Sequence, residues 1–175
     1  MGENYRQKLK KVTTFIFDFD GVLSDGKIYV LADGEQIRAT NVKDGYAIQY
    51  ALKMGYHVAV ISGGISETMR LRFKNFPKMD VFLRISDKLP VFEEYCKNKN
   101  IKPEEVLYMG DDLPDFELMQ HVGVKTCPAD ACEEIKALAE YISFQKGGEG
   151  CVRDVIEQTL KAQGKWANEQ FAYLF

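Results

Sequence analysis

Along this chain, short runs rich in β-branched and aromatic residues alternate with longer stretches whose apolar positions recur at helical spacing, and few folds accommodate that alternation. The runs at 12–17 (VTTFIF), 57–61 (HVAVI), 81–84 (VFLR) and 106–109 (VLYM) read as buried strands, with a weaker one at 123–127. Residues 45–54, 66–75, 88–98, 113–121, 131–139 and 151–163 read as helices. A strand that pairs in parallel with its predecessor needs a crossover, and a helix supplies it. The expected fold is therefore α/β: a doubly wound, Rossmann-like parallel sheet with helices on both faces.

One segment departs from the rhythm. Residues 26–40 (GKIYVLADGEQIRAT) hold two β-rich arms around Asp33-Gly34, which reads as a two-residue turn, so an antiparallel hairpin should protrude after the first strand. Near the end, KGGEG at 146–150 reads as a flexible turn before the last helix, and the tail 164–175 is unusually aromatic. With 175 residues, 46% of them hydrophobic, one domain spanning 1–175 is expected.

Composition removes several classes of function. The net charge is −3 with Lys and Arg scattered, which leaves no footprint for a nucleic-acid backbone. No apolar run approaches the ~18 residues of a membrane span, and MGENYRQKLKK is not followed by a signal-type apolar segment, so a soluble, cytoplasmic protein is expected. Arg6 also spoils a myristoylation pattern. The 4 cysteines, Cys96, Cys127, Cys132 and Cys151, lack Cys-x-x-Cys pairing and read as reduced, packed thiols.

In a doubly wound sheet, ligands bind beyond the carboxyl ends of the strands. The residues just past each expected strand are Asp18 and Asp20, then Ser62-Gly63-Gly64, then Lys88, then Gly110-Asp111-Asp112 with Asp115. Asp18 and Asp111 could share a Mg²⁺ ion, which favours one or two carboxylates plus water and phosphate oxygens. A carboxylate beside such an ion is a competent nucleophile toward a phosphoryl group. Asp20 is placed to protonate the leaving oxygen and later to deprotonate a water. The Ser62 hydroxyl, the amides around Gly21 and Gly63, and the Lys88 ammonium would hold the remaining phosphoryl oxygens. Singly, each feature has a plainer reading: a turn for Asp18-Phe19-Asp20, a helix cap for Ser62 or Asp111, a solvated face for Lys88. Their ordered arrival at successive strand ends favours the chemistry.

These residues resemble the motifs of the haloacid dehalogenase-like phosphatases: DFDGVLSD the first, Ser62 the second, Lys88 the third and GDDLPD the fourth. The resemblance implies that Asp18 is a nucleophile forming an aspartyl-phosphate and Asp20 the general acid/base. It further implies Mg²⁺ ligands from Asp18, the Asp20 backbone carbonyl and Asp111, with Asp115 supporting the metal from further out. The intervals between motifs leave no room for a cap domain. Within the family, DGVLSDGKIYV, NVKDGYAI, SDKL, PADA, GGEGCVRDV and LKAQGKW are similar to the capless, tetrameric phosphatases of sugar-acid biosynthesis, in particular the group acting on 3-deoxy-D-manno-octulosonate 8-phosphate in lipopolysaccharide synthesis. That likeness implies a homotetramer assembled by the 26–40 hairpin and a tail reaching a neighbour's site. It also implies a substrate pocket lined by Asn41, Val42, Lys43, Asp44 and Gly45, and an Arg72 that meets the sugar acid's carboxylate.

Gly64 departs from that pattern: many octulosonate phosphatases have Arg there, whereas nonulosonate 9-phosphate phosphatases tend to have Glu. A nine-carbon substrate therefore stays open as an alternative. From another class, a phosphoaccepting receiver domain also combines an α/β sheet, acidic residues, Mg²⁺ and a lysine. Receivers place the acceptor Asp after a middle strand, where this chain has Ser62-Gly63-Gly64, and they lack an acid two residues beyond it.

Overall fold

The computed structural model describes residues 4–76 and 78–167. Its centre is a six-stranded sheet made of β1 (Thr14–Phe17), β4 (His57–Ile61), β5 (Met79–Phe82), β6 (Val106–Met109), β7 (Val124–Cys127) and β8 (Tyr141–Ile142). The spatial order is β5-β4-β1-β6-β7-β8, and every pairing is parallel. From β1 the chain winds outward through β4 to β5, then returns to β6 on the other side of β1. The strand order reverses beside β1, which opens a crevice at the carboxyl ends of β1 and β6. In register, Phe17 lies opposite both Val60 and Met109, so the residues that follow these strands emerge at one level.

Alternation along β1 divides the core. Phe15 and Phe17 face a layer with α1 (Tyr5–Leu9), α2 (Val42–Lys53) and α7 (Cys151–Ala162), where Leu9, Ile48, Ala51, Val155 and Ile156 are buried. Ile16 faces the opposite layer, formed by α4 (Lys88–Lys99), α5 (Phe116–Gln120) and α6 (Glu133–Leu138), with Phe92, Leu118 and Ile135. α3 (Glu67–Arg72) follows β4. The doubly wound α/β sheet matches the expectation, with differences at the edges of elements. The third strand runs 79–82 rather than 81–84, because Val60 pairs with Val81 and Arg84 turns into a left-handed conformation, φ +63°. The stretch at 113–121 begins as a 3-10 turn, Leu113–Asp115, fixed by a capping box between Asp112 and Asp115, and the α-helix proper starts at Phe116. β8 and α1 had no counterpart in the sequence reading; α1 is fixed by a capping box between Asn4 and Gln7.

The hairpin is present as β2 (Tyr29–Val30) and β3 (Gln36–Ile37), paired Tyr29↔Ile37 and Val30↔Gln36. Its loop is longer than the expected two-residue turn. Leu31 N–H donates to Glu35 O at 2.8 Å and Gly34 N–H to Leu31 O at 2.9 Å, so Ala32, Asp33 and Gly34 form a three-residue connection. KGGEG likewise differs from the flexible turn expected of it. Gly147 is packed so closely against the Gly21 carbonyl that a Cβ would overlap it, and Gly148 N–H donates to Val22 O at 2.9 Å. Of the aromatic tail, Trp166 packs on Tyr50 with ring centroids 4.8 Å apart. The expectation for 168–175 lies outside the described residues. All four cysteines are unpaired thiols. Among the described residues no helix is long and apolar enough to cross a membrane.

Candidate active site

Beyond β1 the chain makes a tight turn, Phe19–Leu23, that returns Asp20 toward the strand end. Gly21 permits it: its φ is +84°, and a Cβ would overlap the Asp111 carboxylate arriving from β6. Asp18, Asp20, Gly21, Ser62, Gly63, Gly64, Lys88 and Asp111 line one open cavity of about 530 Å³. The sequence-derived candidates from four separate strand ends thus meet in one place.

Asp18 Oδ1 accepts the Phe19 N–H at 2.7 Å and lies 3.1 Å from Lys88 Nζ. Lys88 is buried and also donates to Asp115 Oδ1 at 2.6 Å. The Tyr108 hydroxyl, from the middle of β6, donates to the same Asp115 oxygen at 2.6 Å. Asp115 Oδ2 accepts the Asp111 N–H at 2.9 Å and, at 3.5 Å, the Asp112 N–H. Asp115 is therefore a hub whose lone pairs are already committed. It fixes Lys88 on one side and the Asp111 loop on the other.

Oxygens of Asp18, Asp111 and Asp115 lie within 4.8 Å of one another. Burial, followed by repulsion from Asp115, pushes the Asp18 carboxyl up to about 7, with Lys88 and the Phe19 N–H opposing. Burial and the charges of Asp18 and Asp115 push Asp111 up to about 8. Burial works against the Lys88 charge, but Asp18 and Asp115 leave its ammonium above the ordinary value. One ammonium facing three carboxylates leaves excess negative charge, which a divalent cation would relieve. The donor set suits a small hard cation held by Asp18 and Asp111, with Asp115 behind them.

Ser62 Oγ accepts the Gly64 N–H at 3.1 Å, which leaves its proton available to a ligand in the cavity. Gly64 lines the cavity, and a Cβ there would meet Met69 Cε and Sδ at 2.7 Å. Asp20 is gripped by a residue absent from the sequence reading. Arg38 Nε donates to its Oδ1 at 2.6 Å and Nη2 to its Oδ2 at 3.0 Å.

The other candidates do not line this cavity in the single chain. Asn41 caps α2 by accepting the Lys43 N–H at 2.8 Å. Val42 is 79% exposed, and Lys43 is also exposed. Asp44 is buried and accepts the Arg153 N–H at 2.7 Å, so it caps α7, whose own N-cap, Gly150, has no side chain. Gly45 packs against the Arg72 guanidinium. Arg72 Nε donates to Thr40 Oγ1 at 2.8 Å, and its guanidinium lies over the Phe73 and Phe76 rings. Tyr108 and Arg38 were missed for different reasons. A strand reading treats Tyr108 as apolar, although a buried hydroxyl demands a partner. Arg38 sits in an arm read only as hairpin.

A family model for haloacid dehalogenase-like hydrolases matches residues 65–154. The 3-deoxy-D-manno-octulosonate 8-phosphate phosphatase KdsC of Salmonella typhi is 39% identical over 158 residues, 90% of this chain and 84% of that protein. The crystal structure of the Yersinia pestis 3-deoxy-D-manno-octulosonate 8-phosphate phosphatase superposes with a TM-score of 0.90 at 35% identity, covering 94% of this chain and 89% of that one. The Moraxella catarrhalis phosphatase of the same name, solved in complex with magnesium, phosphate and KDO, gives 0.89 at 33% identity, covering 93% of each chain.

Proposed function

Because the chain belongs to the haloacid dehalogenase-like hydrolases, we propose that it is a Mg²⁺-dependent phosphomonoesterase that releases phosphate from 3-deoxy-D-manno-octulosonate 8-phosphate. The observation that carries this reading is the meeting of Asp18, Asp20, Ser62, Lys88 and Asp111 in one cavity. When bound between Asp18 and Asp111, Mg²⁺ supplies positive charge that offsets repulsion between a carboxylate nucleophile and a phosphate dianion.

Asp18 attacks phosphorus, and its Oδ2, which accepts no hydrogen bond among the described residues, keeps its lone pairs for that purpose. As the ester P–O bond breaks, Asp20 passes a proton to the sugar oxygen. A water then attacks the aspartyl-phosphate while Asp20 takes its proton. The Ser62 hydroxyl and Lys88 hold the peripheral oxygens, and Asp115 keeps Lys88 in place. Arg72 and residues 41–45 form the substrate surface only once a neighbouring subunit completes it.

The reading extends to one catalytic domain, 1–175, in a cytoplasmic homotetramer serving lipopolysaccharide synthesis. Ile28, Tyr29, Val30, Leu31 and Ile37 expose an apolar strip on the hairpin, which supports assembly through it. The test is phosphate release, with Mg²⁺ and with a chelator, from the eight-carbon and nine-carbon sugar-acid phosphates in parallel. Mg²⁺-dependent preference for the eight-carbon ester is expected. Preference for the nine-carbon ester would move the protein to another pathway and make Gly64 the first residue to exchange.

A further inference from the structure

Arg38 follows β3 on the return arm of the hairpin, and its side chain is only 3% exposed. Its Nε and Nη2 form a side-on fork with Asp20, at 2.6 Å to Oδ1 and 3.0 Å to Oδ2. Ser24, fully buried, adds its hydroxyl to Oδ1 at 3.2 Å. The third guanidinium nitrogen, Nη1, is buried with no hydrogen-bond partner among the described residues.

Each carboxylate oxygen offers two lone-pair sites. On Asp20, Oδ1 has both occupied, by Arg38 Nε and Ser24 Oγ, while among the described residues Oδ2 accepts only from Arg38 Nη2. We propose that Arg38 is a positioning residue for proton transfer: it anchors Asp20 through Oδ1 and reserves Oδ2 as the oxygen that exchanges protons. The inference rests on the reading of Asp20 as the acid/base. In the first half-reaction the proton on Oδ2 passes to the ester oxygen, which leaves with the electron pair of the broken P–O bond. In the second, a water oxygen bonds to phosphorus, the bond to Asp18 breaks with its pair returning to the carboxylate, and the water's proton goes to Oδ2. Oδ1 keeps both donors throughout, so the carboxyl serves both steps without rotating.

A merely structural brace would be built differently. Burying a guanidinium while leaving one of its donors unpaired is costly, and an apolar side chain would close the base of a hairpin with less penalty. A planar fork that sets the orientation of a carboxylate is what arginine does and lysine does not.

The test uses the full-length, Mg²⁺-loaded protein and two esters: octulosonate 8-phosphate, whose alkoxide needs a proton to leave, and p-nitrophenyl phosphate, whose phenolate does not. Asp20→Asn serves as the benchmark and should lose about 10²-fold or more in kcat/KM on the sugar ester, with a much smaller loss on the aryl ester. Arg38→Met should reproduce that selectivity, losing at least about tenfold more on the sugar ester, and Arg38→Lys should recover only part of it. Ser24→Ala, which removes the second donor to Oδ1, should shift the same way by a smaller factor. Thermal melts and size-exclusion profiles accompany each variant. Equal losses on both esters, or none, in Arg38→Met overturn the proposal while a selective Asp20→Asn leaves the catalytic reading standing. If Arg38→Met does not fold, a Ser24→Ala enzyme with unchanged selectivity overturns it instead. An unselective Asp20→Asn would remove the acid/base role and this inference together.

Discussion

Asp44 offers a way to separate a structural carboxylate from a substrate-binding one. Burial pushes its carboxyl from the ordinary 3.8 up to about 6, against the opposing pull of the Arg153 N–H and of the Arg153 and Arg72 charges. Between about pH 4 and pH 6 the folded protein therefore holds a proton that the unfolded chain has released. Stability falls as pH rises through that window, and a displacement of about two pKa units corresponds to roughly 3 kcal/mol lost by neutral pH. Asp44→Asn keeps a carbonyl for the Arg153 N–H and carries no charge, so it escapes that penalty. Its amide nitrogen would replace Oδ2, which has no hydrogen-bond partner among the described residues, and since the protonated wild-type carboxyl leaves an O–H unpaired there too, the two neutral side chains differ little.

At pH 7 only the wild type bears the ionisation penalty, and Asp44→Asn should be the more stable by up to roughly 3 kcal/mol. At pH 4 Asp44 is protonated in the folded protein, most of that difference is gone, and the two proteins should be about equally stable. Urea denaturation of both proteins across pH 4 to 7 reads the difference directly, and distant groups such as Asp18 drop out because they titrate alike in both. A difference that stays flat with pH would refute the reasoning. Steady-state kinetics on the same samples asks the functional question: a KM raised well beyond wild type would make Asp44 a substrate contact in the assembled enzyme.

Gly21→Ala should cost activity mainly through the cation, because the added methyl overlaps Asp111 and the left-handed backbone adds about 1–2 kcal/mol of strain. Half-saturation by Mg²⁺ should rise at least about tenfold, and an unchanged Mg²⁺ titration would sink this account of Gly21. Tyr108→Phe removes one donor from Asp115 inside a packed core, so about 1–3 kcal/mol of stability and several-fold in kcat should go, with a raised inhibition constant for inorganic phosphate as the sign that Lys88 has shifted. A variant with a lowered melting point but wild-type phosphate inhibition would reduce Tyr108 to packing. Val30→Asp places charge on the exposed hairpin strip and should yield a smaller species in size exclusion at unchanged secondary structure; an unaltered elution volume would place the assembly surface elsewhere.

The sequence revealed most where function and local pattern coincide. Asp18, Ser62 and Asp111 each interrupt an apolar run at a strand end, and the register that levels Phe17 with Val60 and Met109 brings those ends together. The third strand slipped because its limits are set by pairing with β4 rather than by its own composition. The three-residue hairpin loop was hidden because Asp33-Gly34 suits either turn, and the choice depends on which residues of the arms pair. Tyr108 and Arg38 were invisible for a deeper reason. Their partners, Asp115 and Asp20, are chosen by the folded backbone, and nothing in VLYM or EQIRAT names them.

The position of the hairpin then acquires a physical meaning. It is inserted between the turn that carries Asp20 and the helix α2, so both of its ends reach the site: Gly26 lines the cavity, and Arg38 holds Asp20. Between those ends lies the exposed apolar strip from Ile28 to Leu31, with Ile37 beside it. Only two residue pairs of ladder hold the arms together, and a two-stranded ribbon is marginal in water without something packed on it. A neighbouring subunit seated on the strip would therefore stiffen the arm from which Arg38 projects, and with it the orientation of the Asp20 carboxyl. For an enzyme without a cap, assembly and proton transfer would then be coupled through a single side chain. Val30→Asp should accordingly lose more on a plain alkyl phosphate, which needs a proton to leave but makes no sugar contacts, than on p-nitrophenyl phosphate, whereas equal losses on those two would make the interface a scaffold with no hold on the acid.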